Sequence, residues 1–100
     1  MTTPLDSETI ANALETLNGW DHRENKLSRQ YVCDSLSAAI GCIVQMAFAC
    51  EQANHHPEIY QVYNRLKIDL TTHDAGCQVT QKDLDLARAI EAVAQKQATA

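Results

Sequence analysis

Of one hundred residues only three are glycine and two are proline, and aromatic residues make up 5%. So few glycines leave no GxGxxG fingerprint, no Walker loop and no GxSxG elbow, which excludes phosphate cradles of those kinds. Their scarcity, beside 45% hydrophobic residues, also argues against disorder. Positive charge is in short supply: eight bases against thirteen acids give a net charge of −5. That balance disfavours nucleic-acid backbones and anionic membranes as partners. No apolar run reaches the roughly 20 residues of a membrane span. The polar, acidic start MTTPLDSET resembles neither a secretory signal nor a transit peptide. Cysteine is present four times but never as CxxC or in zinc-ribbon spacing. Cys42 and Cys50 stand about 12 Å apart along one helix at ~1.5 Å per residue, too far to bond. Four reduced thiols in a cytoplasmic protein are therefore expected, at least two of them acting as small core hydrophobes.

What remains is enough for a single domain over residues 1–100 with a polar C-terminal tail from Gln95 to Ala100. Asp6 is placed to cap a first helix, with Leu5 and Ile10 as its hydrophobic staple. Ile10, Ala13, Leu14 and Leu17 form its apolar stripe, and Gly19 is expected to close it as C′. Trp20–Arg23 and Lys26–Cys33 read as strands joined around Glu24-Asn25. Asp34 is expected to cap the longest helix, Ser35 to Ala53. At 100° per residue this helix carries two apolar stripes. Leu36, Ile40, Ile43, Val44, Ala47 and Cys50 are expected to face the sheet. Ala38, Cys42, Met46 and Ala49 are then left outward, where the natural cover is a second copy of the helix. A homodimer or homotetramer through helix 35–53 is the resulting expectation.

After Pro57 the period changes to two. Ile59–Tyr63 and Leu66–Thr72 read as strands, with Leu66, Ile68 and Leu70 on one face and a tight turn at Asn64-Arg65. Thr80 and Asp83 resemble a capping box at the start of a last helix that buries Leu86, Ala87, Ile90, Val93 and Ala94. The order α-β-β-α-β-β-α implies an α+β fold: a four-stranded antiparallel sheet with three helices packed on one face.

Three histidines, His55, His56 and His73, fall at the ends of regular elements, where loops can present them around a cleft. A polar helix terminus, general acid/base chemistry and metal binding are all open for them. Adjacent residues in extended chain point to opposite sides, so His55 and His56 are poorly placed to chelate one ion. Cys77 beside Gly76 has no visible activating base. Asp83 lies on the inward face of the last helix and points towards the His73 loop. Glu51, four residues before His55, shares its helix face if the helix extends that far.

The segment Glu51-Gln52-Ala53-Asn54-His55-His56-Pro57-Glu58, with Val62-Tyr63-Asn64, Leu70-Thr71-Thr72-His73 and Asp83–Ala87, resembles the pterin-4a-carbinolamine dehydratases. The likeness runs from Leu5 through Gly19-Trp20 to Ile90. It implies a lyase that needs no cofactor and no metal, dehydrating 4a-hydroxytetrahydropterin to quinonoid dihydropterin. His55, His56 and His73 match the family's catalytic histidines. Thr71, Thr72 and Asp74 match its pterin-contacting segment, and Asn54 and Pro57, which flank the histidines in the matched motif, are expected to bind substrate with them. Glu51 and Asp83 match acidic positions suited to orientation and binding. Two departures stand out: Ile59 replaces a frequent aromatic, and residues 75–78 carry an apparent one-residue insertion. Mammalian members of the family also act as dimerisation cofactors of a transcription factor, so a protein-binding role is the alternative. A related pterin or molybdopterin reaction in the same pocket is another.

Overall fold

A computed structural model describes residues 3–97. Met1, Thr2 and the last three residues of the expected tail lie outside the described residues. Helix α1 (Ser7–Leu14) begins at Asp6, whose Oδ1 accepts the Thr9 N–H at 2.8 Å, with Ile10 buried. It ends earlier than expected, at Leu14. Turn hydrogen bonds from Thr16 and Leu17 then carry the chain to Gly19, so Gly19 is not the C′ residue of a long helix. Gly19 has another reason to be glycine. Its φ is +88°, and a Cβ there would lie 2.6 Å from Arg29 Cζ.

Strands β1 (Trp20–Arg23) and β2 (Lys26–Val32) meet in a tight hairpin whose turn residues, Glu24 and Asn25, both have positive φ. Helix α2 (Leu36–Ala53) is capped by Ser35 rather than Asp34, the Ser35 Oγ accepting the Ala38 N–H at 3.1 Å. Strands β3 (Glu58–Val62) and β4 (Arg65–Leu70) form the second hairpin. Its turn sits at residues 63–64, one position earlier than expected, and Tyr63 takes the positive φ. Asn64 is occupied elsewhere: its Nδ2 donates to Cys33 O while its own carbonyl accepts the Cys33 N–H. Helix α3 (Gln81–Gln97) closes the chain and runs through the first residues of the expected tail.

The strands order β1-β2-β4-β3, all antiparallel, with the helices on one face. Leu27, Tyr31, Leu66, Ile68 and Leu70 point inward from the central strands onto Ile10, Met46, Leu86 and Ile90. A clamp ties α3 to the first hairpin: Glu91 Oε1 accepts from Trp20 Nε1 at 2.9 Å and from Tyr31 OH at 2.6 Å. Burial works to raise the Glu91 carboxyl, but hydrogen bonds from Tyr31, Trp20, Arg29 and Gln95 outweigh it and hold the group below its ordinary value.

The two stripes of α2 are largely exchanged relative to expectation, although Cys50 is buried and Ile43 packs against the core as expected. Ala39, Cys42, Met46 and Cys50 are buried in the core, whereas Leu36, Ile40, Val44 and Phe48 are 48%, 45%, 49% and 62% exposed. Small side chains let α2 settle close to α3 and the sheet, whose own Leu27, Ile68, Leu70 and Ile90 already fill most of the space. The bulkier stripe is thereby turned outward. By length and composition α2 could cross a membrane, yet its inner face belongs to the core of this domain.

Candidate active site

Each histidine is delivered by a local stop signal. Helix α2 ends at Asn54, which adopts the left-handed conformation at φ 51° and returns its N–H to Cys50 and Glu51 carbonyls. The His55 N–H also bonds back to Cys50 O at 3.1 Å. This left-handed stop turns the chain towards α3. It also ends the helix before His55, so Glu51 and His55 do not share a helix face. On the other side, β4 runs out at Leu70. Thr72 then exchanges backbone hydrogen bonds with Gln78, folding residues 73–77 into a short loop. His73 begins a single 3₁₀ turn in that loop, and Gly76 and Cys77 carry its positive φ values. Thr71 Oγ1 donates to Asn25 O at 3.0 Å, which anchors the end of β4 to the first hairpin.

Asp83 is the fixed point. It occupies the third position of α3 and is wholly buried, yet both carboxylate oxygens are used. Oδ2 accepts the Thr80 N–H at 2.9 Å, the return half of the expected capping box with Asp in place of Glu, while the Thr80 hydroxyl accepts the Lys82 N–H. Oδ2 also accepts the Thr72 hydroxyl at 2.8 Å. Oδ1 faces His55 Nε2 at 2.6 Å. The His55 side chain is 11% exposed, so this is a sheltered contact between an acid and an imidazole. Among the described residues, no buried side-chain nitrogen or oxygen lacks a hydrogen-bond partner.

Above this pair opens a cleft of about 320 Å³ lined by Asn54, His55, His56, Thr71, Thr72, His73, Asp74 and Lys82. All three histidines singled out in the sequence are therefore on one wall or another of a single cleft. Asn54, Thr71, Thr72 and Asp74 join them, and Asp83 supports the floor from behind His55. Three expected residues lie outside the lining: Asp83 is buried behind His55, Glu51 is exposed on the last turn of α2, and Pro57 leads into β3. The hydroxyls of Thr71 and Thr72 are both engaged within the protein, so these residues meet the cleft with their remaining atoms. Lys82 was not anticipated. Its signal was its place between a capping Thr80 and an inward Asp83, at the helix start that borders the His73 loop. Glu58 also reaches the rim, with Oε2 4.0 Å from His73 Nε2 and Oε1 accepting from Lys26 at 2.7 Å.

A larger groove, about 920 Å³, crosses the outer face of the sheet over β2, β4 and β3. It contains no histidine and no buried carboxylate. The smaller cleft holds three side chains able to donate or accept a proton near neutral pH, and that chemistry makes it the candidate site.

Comparison with known proteins places the chain in a family. The sequence profile of the family described as Pterin 4 alpha carbinolamine dehydratase matches residues 3–93. The chain is 45% identical over 94 residues to the "Putative pterin-4-alpha-carbinolamine dehydratase" of Solibacter usitatus, covering 94% of this chain and 98% of that one. It is 41% identical over 93 residues to the protein of the same name in Opitutus terrae, covering 93% and 96% respectively. A solved structure, the transcriptional coactivator/pterin dehydratase from Brucella melitensis, superposes with a TM-score of 0.85 at 32% identity. It covers 91% of this chain and 98% of that one.

Proposed function

This chain belongs to the pterin-4-alpha-carbinolamine dehydratase family, and on that premise we propose that it is a hydro-lyase acting on 4a-hydroxytetrahydropterin. In this reading the C4a–OH bond breaks as the N5 lone pair moves towards C4a. One imidazole protonates the departing hydroxyl to give water, and another takes the N5 proton to leave quinonoid dihydropterin. Such proton transfers contribute about 10²–10⁴-fold each. The observation that carries the reading is the convergence of His55, His56 and His73 on one cleft, with His55 held by a buried carboxylate. The flat bicyclic ring of a pterin suits a cleft of about 320 Å³. The role is that of tetrahydrobiopterin recycling after an aromatic hydroxylase, in the cytoplasm.

A direct dehydratase assay tests it. Replacement of His55, His56 or His73 by Ala is expected to lower turnover at least about tenfold while the far-UV circular dichroism is unchanged. Full activity in His73→Ala would remove that residue from the mechanism. Loss of activity on treatment with a chelator would return the histidines to metal binding.

A second reading has its own observation. Leu36, Ile40, Val44 and Phe48 make an exposed apolar face along α2. We propose that this face, rather than the Cys42 and Met46 stripe, pairs with another copy of the chain to give a homodimer or homotetramer. A protein-binding role, raised by the word coactivator in the name of the Brucella melitensis protein, would have this exposed face available to it.

A further inference from the structure

The hydroxyls behind the cleft have only one self-consistent arrangement. Each threonine has a single hydroxyl proton, and a carboxylate can only accept. Thr72 Oγ1 donates its proton to Asp83 Oδ2 at 2.8 Å. The 2.8 Å contact between the two hydroxyls must then use the proton of Thr80, with Thr72 Oγ1 as acceptor. Thr80 Oγ1 in turn accepts the Lys82 N–H at 3.2 Å. Asp83 Oδ2 therefore receives two donors, the Thr72 hydroxyl and the Thr80 N–H, and cannot rotate away without stranding both in a buried site. What is left is Oδ1, and it faces Nε2 of His55 at 2.6 Å.

We infer that Thr72 and Thr80 are positioning residues: through Asp83 they hold His55 as its Nε2–H tautomer and leave Nδ1 as the ring nitrogen that works in the cleft. The inference rests on the dehydratase reading for the claim that Nδ1 transfers a proton. The tautomer and its hydroxyl support follow from the geometry with Asp83 as a carboxylate. Thr72 is thus assigned to holding a carboxylate, not to binding a pterin with its hydroxyl. Thr80 is given a task beyond starting a helix. Neither touches the reacting atoms, and both act through Asp83 on the one histidine whose second nitrogen is already spoken for.

Ring ¹⁵N shifts of His55 in the ligand-free protein, read by long-range proton–nitrogen correlation, report the tautomer without any substrate. Read at a pH where the ring is neutral, the wild type is expected to show the His55 proton on Nε2. Thr72→Val keeps the shape of the side chain and removes its proton. Averaged ring shifts are expected from the two tautomers, with kcat lowered about tenfold and KM little changed. Thr72→Ser keeps the hydroxyl and is expected to keep both readouts, as is Thr80→Ser, whereas Thr80→Val is expected to shift them in the same direction as Thr72→Val. A wild-type protein whose neutral His55 carries its proton on Nδ1 would overturn the inference. So would a Thr72→Val protein that keeps the Nε2–H signature yet loses activity through a raised KM, since Thr72 would then be acting on the ligand. If the wild type shows the expected tautomer but dehydrates no pterin, the proposed reaction fails and the clamp on His55 stands.

Discussion

Truncating Met46 and Phe48 separately measures which face of α2 is the inner one. Met46 is 0% exposed and Phe48 62%. Removing a fully buried Met side chain forfeits its transfer energy and leaves a cavity, a cost of about 2–5 kcal/mol. Full burial of a Phe side chain is worth up to about 3 kcal/mol, and with 62% already in solvent only about 1 kcal/mol is at stake at Phe48. A domain of this size has roughly 5–15 kcal/mol of stability, so Met46→Ala removes a large share of it and Phe48→Ala a small one. Urea unfolding followed by far-UV circular dichroism should resolve a gap of at least about 1 kcal/mol between the two variants. Two protein concentrations tenfold apart are needed, because pairing through the outer face adds stability that depends on concentration. At the lower concentration the gap should be widest. If Phe48→Ala costs as much as Met46→Ala at both concentrations, the assignment of the two faces is wrong.

Other consequences are as direct. Phe48→Glu should leave the domain folded and shift sedimentation towards smaller species, whereas Met46→Glu should unfold it; an unchanged sedimentation profile for Phe48→Glu would discard that interface. Of the four cysteines, Cys77 is exposed and the other three are buried. Native alkylation followed by mass spectrometry should therefore label one site quickly and three only on unfolding. Burial pushes the Cys42 thiol up to about 11, so the protein holds this proton more tightly than the unfolded chain does. Stability from that group should be intact below about pH 9 and decline as pH rises towards about 11, and Cys42→Ala should remove that part of the alkaline loss. Glu91 works in the opposite direction. Its lowered folded value means stability is present above the ordinary 4.5 and is lost as pH falls below it, through the folded value. The stability gap between wild type and Glu91→Gln should therefore narrow in acid titrations and stay wide at neutral pH.

Sequence legibility divides along physical lines. Alternation in Leu66, Ile68 and Leu70 identified a half-buried strand because a period of two admits one inward face. Asp6, and Thr80 with Asp83, identified helix starts because few residue types satisfy an orphan N–H. The three histidines were legible as loop residues, and their meeting in one cleft follows from where α2 and β4 stop. The faces of α2 were not legible. Both stripes are apolar, so hydrophobicity could not choose between them, and the choice fell to side-chain volume against a nearly full core. The turn at Tyr63 was missed because Asn64, the residue best suited to positive φ, is used to hold Cys33. The duties of Thr72 and Thr80 were hidden for a similar reason: a threonine hydroxyl near a histidine reads as a ligand contact until its single proton is traced.

The strand order β1-β2-β4-β3 also sets the sequence of events by which the chain reaches this shape. Each hairpin closes over a tight turn, at residues 24–25 and 63–64, and can form early and alone. The seam between β2 and β4 cannot. Val32 pairs with Arg65, so even its shortest loop encloses all of α2 and β3, with a closure entropy of about 3 kcal/mol beyond that of forming any contact. The residues of the cleft arrive from the end of α2, the end of β4 and the start of α3, and Thr71 is tied to Asn25 of the first hairpin, so the complete site is expected only once that seam is closed. A chain with a single hairpin formed is therefore expected to lack the complete site. On refolding from urea, secondary structure should return before catalytic competence, and the delay between the two signals times the joining of the hairpins.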